Sequence, residues 1–144
     1  LDAIDLLDVI KELEKKCLNL EIETIYTHYG SDLNVDHRIV HEAVVTAFRP
    51  KPGSVIKNIY AFETLSSTEW STKSIGPPFS PNKYINISST LERKIDALKV
   101  YKTEIKPFPH PRSIESVRAL AQFRGSSIGV EAAEAFDVIL DIEK

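Results

Sequence analysis

Three of the chain's four histidines, His28, His37 and His41, fall in the stretch from Thr27 to His41, which also holds Asp32, Asn34 and Asp36. Imidazoles and carboxylates gathered this closely bind divalent cations or move protons. His37 and His41 stand four residues apart on one helical face, a spacing that suits joint zinc ligation. Histidine pairs at that spacing are also common on ordinary helices, so His41 reads as a flank residue. His37, beside Asp36 at a loop-to-helix junction, is the stronger ligand candidate. The start of a helix presents free amides and a partial positive charge, which favours a carboxylate at Asp36 or Asp32.

The flanking pattern says what holds these groups. Leu20 to Thr27 is β-branched and apolar and reads as a strand. After it, Val40, Ala43, Val44, Ala47 and Phe48 make a helical stripe, with Asn34 or Asp36 as cap and Pro50 as stop. His37 lies one turn before Val40 and points towards the sheet. Upstream, Leu6, Ile10, Leu13 and Cys17 predict an amphipathic helix over 2–17. Downstream come a strand from Val55 to Thr64, a Ser/Pro/Gly-rich loop over 65–82 and a short strand from Lys83 to Ile87. Ser89-Thr90-Leu91-Glu92 matches a capping box, opening a helix to about residue 105. Ser113 caps a further helix ending at Gly125, then a helical turn is expected over 131–135 and a strand from Phe136 to Ile142. Helices alternating with strands imply α/β layering on a parallel sheet, in which ligands bind beyond the carboxyl ends of strands. The stretch from Thr27 to His37 occupies such a place.

Other residues are candidates on local grounds. His110 sits between Pro109 and Pro111, on a stiff backbone suited to a preorganised site. Glu69-Trp70 in the long loop can line a sugar pocket, although a Trp covering the core is an equal reading. Ser66-Ser67 has no G-x-S-x-G elbow, which argues against a serine hydrolase. No Gly-rich phosphate loop follows a strand, which disfavours a nucleotide-binding protein.

With 144 residues and a net charge of −3, the chain is long enough for one cored domain over 1–144 and lacks the basic footprint of a nucleic-acid or anionic-membrane binder. No apolar run reaches the ~20 residues of a membrane-spanning helix. A single cysteine, Cys17, excludes an internal disulfide and fits a reducing compartment, so a cytoplasmic location is expected. The chain opens at Leu1 inside a helical pattern and reads as the middle of a longer protein.

Asp32-Leu33-Asn34-Val35-Asp36-His37-Arg38 resembles the second motif, usually His-x-Asp-His, of the PIG-L/LmbE-type N-acetylglucosaminyl deacetylases. The similarity continues in order through Ser66-Ser67-Thr68-Glu69-Trp70, Leu91-Glu92-Arg93-Lys94, Pro107-Phe108-Pro109-His110-Pro111-Arg112-Ser113, and Arg124-Gly125-Ser126 to Phe136. The resemblance implies a three-layer α/β/α Rossmann-like fold with a mostly parallel sheet. It also implies a Zn2+-dependent enzyme that removes an acetyl group from an N-acetylated amino-sugar conjugate. His37 would be a metal ligand and Asp36 would orient its neighbours. The motif's first position, often His, is Asn34 here; its amide can donate to an oxyanion but cannot move a proton. His28 or His110 would take over that second role, with His28 and Glu69 against the substrate.

The family's first motif, His-Pro-Asp-Asp-Glu, supplies two more ligands and the general base, and it is absent. The nearest His-Pro, His110-Pro111, is followed by Arg112. Zinc catalysis normally takes three protein ligands and a water, so the chain is expected to be the C-terminal portion of a longer deacetylase-like domain, inactive alone. The alternative is a non-catalytic sugar-binding or scaffold fragment of the same fold. An exposed sheet edge predicts self-association.

Overall fold

The computed structural model describes residues 1, 3–17 and 20–143. Its elements run α1 (Leu6–Cys17), β1 (Thr24–His28), α2 (Val35–Ala47), β2 (Asn58–Phe62), β3 (Lys83–Asn86), α3 (Leu91–Lys99), α4 (Ile114–Ser126) and β4 (Ala133–Asp141). The four strands form a mixed sheet in the order β1-β2-β4-β3, and the fold is α/β and Rossmann-like. Two units divide the chain: residues 1–80 with 137–144, and residues 81–136.

In the first unit β1 and β2 pair in parallel, from Thr24 opposite Asn58 to His28 opposite Phe62. Both strands therefore release their following loops at the same end of the sheet. The expected α2 stripe does the packing: Val44 joins Ile56 and Ile59, with Val40, Phe48, Ile25 and Ile139 around them. Ala43 and Ala47 meet Ile10, with Leu6 and Leu13 of α1 alongside. Small side chains at 43 and 47 let the two helices approach closely, so α2 is held by sheet and helix together. Position 2 of the expected first helix lies outside the described residues; among the rest, that helix begins at Leu6.

The second unit is built on Ile87, Leu91, Ile95, Ala121 and Ala132, with Ile85 and Ile114 packed against them. β3 and β4 are antiparallel here, Lys83 opposite Phe136 and Asn86 opposite Ala133. Three local expectations are corrected. The strand begins at Ala133, so no helical turn occupies 131–135: Ala133 and Ala135 are buried in the pairing with β3, and burial overrides their helical propensity. The helix opened by Leu91 stops at Lys99, where Val100 and Tyr101 turn outward. Finally, Thr90 is the N-cap and forms no side-chain cap bond, while Glu92 pairs with Arg118 instead of reaching back.

Candidate functional site

At the carboxyl ends of β1 and β2 the structure builds a cluster around Asp32, whose side chain is fully buried at 0% exposure. Asp32 Oδ2 accepts from Thr68 Oγ1 at 2.7 Å. Oδ1 accepts from the Ser67 hydroxyl and from the Asn34 amide, the latter at 2.8 Å. His37 Nδ1 lies 3.1 Å from the same Oδ1. Burial pushes the Asp32 carboxyl up, but hydrogen bonds from Ser67, Thr68 and Asn34, with His37 nearby, outweigh it and hold the group below its ordinary range. Asp32 is therefore a buried anion at neutral pH, satisfied by neutral donors.

The donors sit on a turn that is itself braced. Thr68 Oγ1 accepts from the Thr64 amide at 2.7 Å while donating to Asp32. Glu69 accepts from the Ser66 amide at 2.6 Å and the Ser67 amide at 3.1 Å. Ser66 has φ of 67°, a left-handed conformation uncommon outside glycine, which those bonds hold in place. On the other side, Arg38 donates to the carbonyls of Asp32 and Leu33 at 2.8 and 2.7 Å. The loop and the turn thus clamp one carboxylate between them.

Each residue expected at the site has a definite place. Asn34 caps α2, its side-chain oxygen accepting from the Asp36 amide at 2.9 Å. Asp36 lies in the first turn of α2 with its side chain 50% exposed, and the carboxylate set beside His37 is Asp32. His37 is only 18% exposed and stacks on His28, ring centroids 4.0 Å apart and 19° from parallel. His28 also packs against Phe62 at 4.8 Å. Burial, followed by His37 and His41, keeps the His28 imidazole below its ordinary value against the pull of Asp32, so it is neutral at pH 7. His41 braces the end of β1, its Nδ1 donating to the His28 carbonyl at 2.8 Å. Its ring also fills the space beside Gly30, where a Cβ would come within 2.7 Å of Nε2. Glu69, expected against substrate, has both carboxylate oxygens on backbone amides.

His110 belongs to the second unit. Its Nδ1 accepts from the Arg112 amide at 3.0 Å, so the neutral ring carries its proton on Nε2. Its backbone is fixed too, with the His110 amide donating to Pro107 at 3.1 Å and Ser113 donating to the His110 carbonyl at 2.9 Å.

The fit of this cluster to zinc is partial. Among the described residues no three His, Cys, Asp or Glu side chains converge as a metal-binding group. Two imidazoles stacked nearly parallel do not aim their lone pairs at one point, and the Asp32 oxygens are already engaged. His37 offers one donor; the described residues alone do not complete a four-coordinate site. The hub residue Asp32 and its partners Ser67 and Thr68 were the groups sequence reasoning undervalued. Their signal was a hydroxyl pair just after a strand parallel to the one before Asp32.

No protein-family model matches the sequence, and no curated protein is similar to it in sequence. Solved structures are similar in fold. A conserved protein from Thermus thermophilus, TT1542, superposes with a TM-score of 0.71 at 18% identity, over 95% of this chain and 60% of that one. The N,N'-diacetylchitobiose deacetylase of Pyrococcus horikoshii, determined with its inhibitor MPG, gives 0.63 at 20% identity, over 92% of this chain and 51% of that one. The chain thus shares the fold of a deacetylase and spans little more than half the length of these neighbours.

Proposed function

We propose that this chain is part of a PIG-L/LmbE-type hydrolase that removes an acetyl group from an N-acetylated amino-sugar conjugate with the help of Zn2+. The observation that carries the reading is the His37–Asp32 pair: a near-buried imidazole beside a clamped carboxylate, at the strand ends where such folds bind ligands. The fold shared with a diacetylchitobiose deacetylase supports it. In this reading His37 is one metal donor, and the remaining donors and the general base lie on polypeptide beyond these residues. His28 lines the site, neutral and stacked. Asn34 and Asp36 shape the start of α2, the Asn34 amide nitrogen being the oxyanion donor. His110 belongs to the second unit and takes no part in this reading, and Glu69 holds the turn that carries Ser67 and Thr68. Cys17, unpaired, suits the cytoplasm. No helix among the described residues is long and apolar enough to cross a membrane.

The full-length polypeptide is expected to release acetate from N-acetylglucosamine conjugates, with activity lost on chelation and restored by zinc. Absence of acetate release from the zinc-loaded protein would refute the proposal. A second reading is favoured by one observation, the lack of a three-donor group among the described residues: the domain keeps the fold as a non-catalytic sugar-binding or scaffold module. That reading predicts sugar binding without zinc and without turnover.

A partner is also proposed. β1 ends the strand order, so among the described residues one of its sides has no strand partner in the sheet. Unpaired backbone groups on an edge strand recruit another strand. The 144-residue chain is expected to self-associate through β1, and sedimentation velocity should show dimers or larger species. A single monomeric boundary at high protein concentration would exclude this.

A further inference from the structure

We propose that Asp32 is a positioning residue that fixes the His37 imidazole as its Nδ1–H tautomer, leaving the lone pair on Nε2. Asp32 is fully buried and its carboxylate has about four acceptor positions. Three are occupied, by the Ser67 hydroxyl, the Thr68 hydroxyl and the Asn34 amide. The open position is on Oδ2, while His37 Nδ1 lies 3.1 Å from Oδ1, the oxygen that Ser67 and Asn34 share. That nitrogen is buried and makes no hydrogen bond, to Asp32 or to any other group. So close to a carboxylate in a site shielded from water, a bare Nδ1 lone pair is repelled and an Nδ1–H is attracted. The His28 ring, stacked at 4.0 Å, limits movement of the His37 ring.

The clamp explains why the carboxylate does not turn away. Ser67 and Thr68 are adjacent, point at different oxygens of the same group, and ride on a turn braced by Glu69 and by Thr64. A buried carboxylate held from three directions keeps one orientation, and so keeps one tautomer in its neighbour. His110 provides the contrast within the same chain. Its Nδ1 faces a backbone N–H and must accept, which puts the proton on Nε2. His37 and His110 are thus held in opposite tautomers, and His41, whose Nδ1 faces the His28 carbonyl, shares the Nδ1–H form.

The purpose of this arrangement rests on the hydrolase reading, in which His37 lends a lone pair to the metal. The tautomer itself is tested in metal-free protein, so failure of either leaves the other standing. In 15N-histidine-labelled protein at pH 8, with signals assigned by His37→Gln and His110→Gln, His37 should show a pyrrole-type Nδ1 and a pyridine-type Nε2. His110 should show the reverse. Thr68→Val, which removes one clamp hydroxyl, should shift His37 towards a mixture of tautomers, and Asp32→Asn should shift it further. An Nε2–H or doubly protonated His37 in the unmodified protein overturns the proposal. So does an Nδ1–H population that stays unchanged in both variants. If Asp32→Asn does not fold, the unmodified spectrum and Thr68→Val decide the matter.

Discussion

Asp32→Ala is expected to lower the stability of the protein by about 3 kcal/mol, because it strands buried donors that were satisfied by one anion. Ser67 and Thr68 lose their acceptor, as does the Asn34 amide at the start of α2. The hydroxyls can rotate towards other acceptors, and the sum is therefore smaller than three separate losses. For a chain of this size such a change lowers the melting temperature by roughly 10 °C. The pH dependence has a defined sign. Asp32 is held below its ordinary range in the folded state, so its ionisation adds stability that is fully present above the unfolded value, about 3.9. This contribution fades as pH falls through the lower folded value. Urea unfolding of the unmodified protein should lose stability more steeply between pH 5 and pH 2 than Asp32→Asn does. Parallel slopes, or an Asp32→Ala variant within about 0.5 kcal/mol of the parent, would show that the cluster is incidental.

Gly125→Ala sets two opposing effects against each other. Alanine is the better helix former by about 1 kcal/mol, and Gly125 lies within α4, so propensity alone predicts stabilisation. Sterics predict the reverse. A Cβ at this position would come within 2.7 Å of Ala132 N, Ala132 Cα and the Val130 carbonyl oxygen. All three are backbone atoms, which cannot swing aside as a side chain can. The approach is also fixed by the Val130 amide donating to the Gly125 carbonyl at 3.0 Å. Overpacking of this kind costs about 1–3 kcal/mol and more where the neighbour cannot yield, so the clash wins and net destabilisation of about 2 kcal/mol is expected. Thermal unfolding decides: a raised midpoint would mean that the turn from α4 into β4 is looser than the structure shows.

Much of the fold was legible because it follows from local pattern. The stripe from Val40 to Phe48 marked α2 and its packing face, and Asn34 and Ser113 cap their helices as residues of that type do. Elements failed where a distant partner decides. Ala132 to Ala135 reads as helical until β3 is known to lie opposite. Ile105 extended the apparent period of α3 beyond the point where packing supports it. At the site, His37 was legible from its motif, being a short-range feature of loop and helix start. Asp32 was visible only as one of two acidic residues near a helix N-terminus. Its role as hub depends on hydroxyls 35 and 36 residues away, which no local spacing reveals. Glu69 looked like a sugar contact for the same reason: its bonds are to the backbone of its own turn, and backbone geometry is not written in side-chain type.

If His37 serves a metal in a deacetylase, the protein's zinc content will show it before any substrate is known. The full-length polypeptide, purified without chelator and analysed by inductively coupled plasma mass spectrometry, should carry close to one zinc per chain. His37→Ala should lose that zinc while keeping its folded circular-dichroism spectrum. A full-length protein without stoichiometric zinc, or a folded His37→Ala variant that binds zinc as tightly as the parent, would contradict the account.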